Sequence, residues 1–119
     1  MKTYQLKYTQ NQWLVLYQVM DFMATLGKYP KNYSNAQLAF YSLSEKISDK
    51  IWSKMHRPFQ GEKALKFSIA HIATMHELIS TLFMKGIIHE VLKEGEPSYN
   101  EATLTSVLAD LDRIKVNHI

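Results

Sequence analysis

Histidine, lysine, serine and the carboxylates carry whatever chemistry this 119-residue chain can do, because it has no cysteine and hence no thiolate nucleophile or ligand. His71 and His76 share one apolar segment, but at five residues' separation they stand about 140° apart around a helix of 3.6 residues per turn. They cannot grip one ion together. No histidine has another His, Asp or Glu three or four residues away, and no glutamate is followed three residues later by histidine, which removes the Glu-x-x-His pairs of carboxylate-bridged bundles. There is no Gly-x-Ser-x-Gly elbow, and the four glycines at 27, 61, 86 and 95 are too scattered to cradle a phosphate. We therefore expect no catalytic residue, no metal and no cofactor, and a protein that is not an enzyme. His71 and His76 read instead as neutral core histidines bonded across a bundle. On that reading, acid protonates them against desolvation and the fold weakens as pH falls through about 6.

The most localised surface feature is basic. Lys46, Lys50, Lys54 and Arg57 recur at spacings of four, four and three along one flank of a helical segment, while Glu45 and Asp49 fall toward the other side. Such a flank suits a solvated face, a dock for an acidic protein, or phosphate. Two of the 14 basic residues are arginine (Arg57 and Arg113), leaving 12 lysines. Lysine acts as a point charge, whereas arginine brings the bidentate fork that reads guanine edges. A net charge of +3 is too small by itself to name a polyanion partner.

The elements that would position these groups follow from periodicity. Residues 2–8, KTYQLKY, alternate Tyr4, Leu6 and Tyr8 with Thr3, Gln5 and Lys7, which predicts a short strand; Tyr4 and Tyr8, four apart, also fit a helical extension. A strand here needs a neighbour, from 87–92, from 114–119, or failing those from a second copy or another protein. Thr9 and Gln12 form a capping box opening a first helix over 10–26. Its apolar side is Trp13, Leu16, Tyr17, Met20, Met23 and Leu26. Trp13, Leu14, Val15, Val19 and Phe22 together exceed what one partner helix hides, so we expect a homodimer through this helix. After the polar loop KYPKNY, Ser34 and Gln37 form a second box, and a helix over 35–54 follows with Ala36, Phe40, Leu43, Ile47 and Ile51 as its core row. Trp52 and Tyr41 flank that row.

The segment 62–86 carries two apolar rows, Leu65, Ile69, Ile72, His76, Ile79 and Phe83, and Phe67, His71, Met75, Leu78 and Leu82. A helix apolar over most of its circumference belongs at the centre of a bundle. Gly86 ends it. Residues 87–93 fit strand or helix, EGEP is a loop, and Ser98 with Glu101 opens a last helix with Leu104, Val107, Leu108, Leu111 and Ile114 inward. No internal repeat, low-complexity stretch or linker divides the chain. Its size allows one domain burying roughly two thirds of the unfolded surface. Neither a secretory leader nor a membrane span is evident, and a cytoplasmic protein is expected.

LISTLFMKGIIHEVL followed by EGEPS resembles a winged-helix outline over about 20 residues, a helix ending at glycine and running into strand and wing. The resemblance implies DNA binding, although Ser80, Thr81 and Phe83 stand where arginine or asparagine would meet base edges. The expectation is thus an all-α, four-helix bundle-like domain around 62–86 with a short N-terminal extended segment. It would serve as a small regulatory or interaction protein that self-associates and binds a protein partner. The alternative is a nucleic-acid binder, winged-helix-like or working through lysine contacts to phosphate, and the third is an enzyme whose site is assembled from distant residues.

Overall fold

The computed structural model describes residues 2–26, 33–86, 88 and 101–118. Within them the chain is mostly helical, with a two-stranded antiparallel sheet. Strand β1 (Thr3–Thr9) runs directly into helix α1 (Gln10–Leu26), followed by α2 (Asn35–Met55); strand β2 (Glu62–Ser68) runs directly into α3 (Ile69–Met84), and α4 (Glu101–His118) closes the described chain.

The first two capping boxes form as their spacing requires. Gln12 N–H donates to Thr9 Oγ1 at 3.3 Å and Thr9 N–H to Gln12 Oε1 at 2.9 Å; Ser34 and Gln37 exchange bonds in the same way. The box at Ser98, the loops 27–32 and EGEP, and the segment 87–93 apart from Ile88 lie outside the described residues. Gly86 takes φ 68° just after the α3 cap at Lys85, the left-handed conformation that a side chain disfavours.

Two expectations are corrected here. The central helix does not begin at Glu62: residues 62–68 form β2, and α3 starts at Ile69 with Ser68 as its cap, accepting from His71 N–H at 3.3 Å. Leu65 and Phe67 are buried while Ala64 and Lys66 are exposed, so the governing period was two. Leu65 also stands four before Ile69, and that spacing disguised the strand. The partner of β1 among the described residues is accordingly β2.

Among the described residues the order strand, helix, helix occurs twice. Leu6, Lys7, Tyr8 and Thr9 are matched by Leu65, Lys66, Phe67 and Ser68, 59 positions further on (65 − 6). Trp13, Leu16, Val19 and Met20, all buried, are matched at the same offset by Ile72, Met75, Leu78 and Ile79, also buried. In the sheet Leu6 faces Leu65, with Gln5 opposite Lys66 and Lys7 opposite Ala64. A twofold rotation through the Leu6–Leu65 pair exchanges those two flanking pairs. The strand register therefore carries a local dyad relating β1 to β2, at the same offset that matches the buried positions of α1 and α3.

Side-chain contacts repeat under the same rotation. Tyr17 meets Trp52 at 5.0 Å between ring centroids in the first half, and His76 meets Asp112 at 3.1 Å in the second. The strand ends cross over: Tyr8 bonds to Asp110 on α4, while Phe67 lies under the Lys50 ammonium of α2 at 4.4 Å. Trp13, fully buried, ties the halves together by donating its indole N–H to the Lys63 carbonyl at 2.9 Å.

One core cluster draws on all six elements. Leu104, Val107, Leu111 and Ile114 are buried on α4 as expected, with Leu108 half-buried against them. On α2 the inward stripe is Ser44, Ile47, Ser48, Ile51 and Met55, rotated away from exposed Ala36. The two serine hydroxyls return their protons to the Phe40 and Glu45 carbonyls at 3.0 Å, so small polar residues sit in the core satisfied and let α1 approach closely.

Candidate nucleic-acid interface

Alternation fixes what the ribbon shows on each side. Leu6, Tyr8, Leu65 and Phe67 are buried beneath it, and Thr3, Gln5, Lys7 and Thr9 with Glu62, Ala64 and Lys66 are exposed on the other face, Ser68 half so. That outer face carries hydroxyls, an amide, the Glu62 carboxylate at one end and two ammonium groups that flexible stems can aim. Lys7 and Lys66 are equivalent under the dyad and lie on diagonal positions, about 7–8 Å apart at the backbone by general sheet geometry.

The two edges of the ribbon differ in charge. Beside β2, the Lys50 ammonium bonds to the Lys66 carbonyl, and Lys46 stands one helical turn away on the same flank, close enough for both lysines to act on His71. Burial first, then the charges of Lys50 and Lys46, hold the His71 imidazole below the ordinary histidine range. Beside β1 the matching place is taken by a carboxylate. Tyr8 donates its O–H to Asp110 Oδ2 at 2.7 Å, and Arg113 donates to Asp110 Oδ1 at 2.7 Å. Gln12 donates to Ser106 Oγ at 3.2 Å on the same side. Burial, and then the bond to Asp110, push the Tyr8 hydroxyl far above the ordinary tyrosine range.

The residues singled out in the sequence fall out as follows. Lys46, Lys50, Lys54 and Arg57 are all exposed along α2 and just past its end. His71 and His76 are half-buried rather than enclosed and face different neighbours, His71 the α2 lysines and His76 Asp112. The pair builds no shared site, and the Nδ1 of His76 has no hydrogen-bond partner among the described residues. Among these residues no three His, Asp or Glu side chains converge as for a metal. Trp13, Val15 and Val19, read above as a self-association face, are fully buried within the single chain, and Phe22 packs partly buried against the same core; Leu14 is half-buried. The apolar surface of α1 is taken up chiefly by α2, with α4 beside it, and by β2 through Trp13. Trp52 does stand on an exposed rim, 48% accessible and stacked on His56 at 5.0 Å.

Sequence reasoning grouped Gln5 and Lys7 on one side of β1 but missed Lys66 as their neighbour on the same face. The signal was present in the LKYT of 6–9 and the LKFS of 65–68. The strand and wing of the winged-helix outline fall on 87–98, which apart from Ile88 lie outside the described residues. No described helix is long and apolar enough to cross a membrane. Comparison with protein-family models, curated proteins and solved structures finds no match to this chain.

Proposed function

We propose that the chain is a non-enzymatic double-stranded DNA binder that lays the outer face of the β1–β2 ribbon in the major groove. The observation that carries this reading is the polar, lysine-bearing outer face, left uncovered by the described elements while the opposite face anchors the core. Two strands of seven residues extend about 24 Å. A groove about 12 Å wide admits a two-stranded ribbon, and its base edges offer acceptors to lysine and paired sites to glutamine. The A-form groove of double-stranded RNA is too deep and narrow for this, so DNA is the favoured duplex. Lys46, Lys50 and Lys54 lie beyond the ribbon edge, where phosphates would run, and supply salt-dependent affinity.

The protein-partner reading rests on less. Its self-association face is interior, which leaves Trp52 and its neighbours as the surface that supports it.

The test is fluorescence anisotropy on 30-base-pair duplex DNA, with single-stranded DNA and duplex RNA as comparisons. Wild type should bind duplex DNA with an affinity that falls steeply with salt. The Lys7→Glu/Lys66→Glu variant should lose binding by at least tenfold while keeping its urea midpoint. Equal binding by variant and wild type, or preference for duplex RNA, overturns the proposal.

A further inference from the structure

The β1–β2 ribbon carries its dyad at the Leu6–Leu65 pair, and B-DNA has dyads perpendicular to its axis. A ribbon seated with the two aligned presents equivalent side chains to symmetry-related base pairs. We infer that the DNA this chain takes is an imperfect inverted repeat, read alike through one dyad-related pair of side chains and unlike through the other, and gripped by its backbone on one half only. The inference rests on the DNA-binding reading above.

Three observations carry it. Lys7 and Lys66 occupy equivalent positions, so both halves present the same donor, suited to the N7 and O6 acceptors of guanine. Directly opposite them in the same cross-strand pairs, Gln5 on β1 has Ala64 as its equivalent on β2. Glutamine pairs with adenine through two hydrogen bonds, whereas alanine offers a methyl contact suited to thymine. The two half-sites diverge there.

The third observation concerns the edges. A ribbon filling a groove directs its edges at the phosphate walls. At the β2 edge the wall meets Lys46 and Lys50, both exposed, and Lys50 spends one of its three donors on the Lys66 carbonyl. At the β1 edge the wall meets Asp110, whose charge is already matched by Arg113. One edge attracts phosphate and the other is near neutral. A homodimer of either half would be bound to treat both sides alike; a single chain holding two unlike halves is free to set an orientation on DNA.

The experiment is selection from a library of random 24-base-pair duplexes, followed by hydroxyl-radical footprinting of the selected site. Wild type should enrich a sequence with guanines related by a dyad and with unlike bases beside them, protected more strongly on one half. Ala64→Gln should make those neighbouring bases symmetric. Lys46→Gln/Lys50→Gln should even out the footprint and reduce the slope of log affinity against log salt by about 1.8, two contacts at about 0.9 each; Lys46→Gln, which removes no hydrogen bond to the fold, should give about half of that. Enrichment of a sequence without a dyad, an unchanged site for Ala64→Gln, or equal protection of both halves in wild type each overturns the inference while DNA binding stands. Failure to enrich any duplex overturns both.

Discussion

Replacing Tyr8 with phenylalanine tests whether the first strand is held by the last helix. Tyr8 is 3% exposed and its hydroxyl donates to Asp110 at 2.7 Å. Phenylalanine keeps the ring against Trp13, 4.9 Å away between centroids, so the change deletes one hydrogen bond to a charged acceptor and little else. Such a bond contributes about 1.5–3 kcal/mol. The Asp110 side chain is 29% exposed and retains Arg113, so water can replace the lost donor, and the expected cost at pH 7 is about 1–2 kcal/mol.

The pH dependence sharpens the test. In the folded chain Tyr8 holds its proton far above the pH at which the unfolded chain releases it, an ordinary tyrosine titrating near 10. Its contribution is therefore complete below about pH 10 and declines above it by about 1.4 kcal/mol per pH unit for one proton. Phenylalanine has no proton to lose. The deficit of the variant should close by about pH 11 and reverse beyond it. Urea midpoints for both proteins from pH 7 to 11.5, with Asp110→Asn completing a double-mutant cycle, measure this directly. Curves that stay parallel across the range, or a coupling below about 0.3 kcal/mol, would refute the bond between β1 and α4.

His71 is held below the ordinary histidine range by burial and by Lys50 and Lys46. Its stabilisation is thus whole above about pH 6.5 and is lost as pH falls below that. Lys50→Met should move its titration upward when followed by NMR, and an unmoved titration would break the attribution. Leu6→Ala, at a fully buried position on the dyad, should cost about 2–5 kcal/mol by urea unfolding; a loss under about 1 kcal/mol would mean the ribbon is not seated on the core.

Much of the helical framework was legible because it rests on local chemistry. Thr9 with Gln12 and Ser34 with Gln37 announce helix starts through bonds spanning three residues, and the α4 stripe of Leu104, Val107, Leu111 and Ile114 follows from a single period. β2 was illegible for an equally physical reason. Leu65 and Phe67 satisfy both periods at once, since Leu65 also stands four before Ile69, and a strand is selected there only by β1, more than fifty residues away in sequence. The ribbon face was hidden with it, because a face exists only once both strands are known. The face offered for self-association, Trp13, Val15 and Val19, is interior, because α1 is packed by more than one neighbour at once, which a reading that allots one partner helix does not count. Lys46, Lys50, Lys54 and Arg57 were found, since exposure on one helix flank needs no partner.

The crossing of the strands also governs when the fold can form during synthesis. β1 is made first but pairs with β2, 59 residues later by the Leu6–Leu65 pair (65 − 6), and Tyr8 waits longer still for Asp110. At about 5–20 residues per second, the first interval alone lasts roughly 3–12 s. Throughout it a strand with Leu6 and Tyr8 on one face has an open edge and no core beneath it. Long-range pairing of this kind slows folding and leaves the nascent first half exposed to pairing with the first half of another copy on the same messenger.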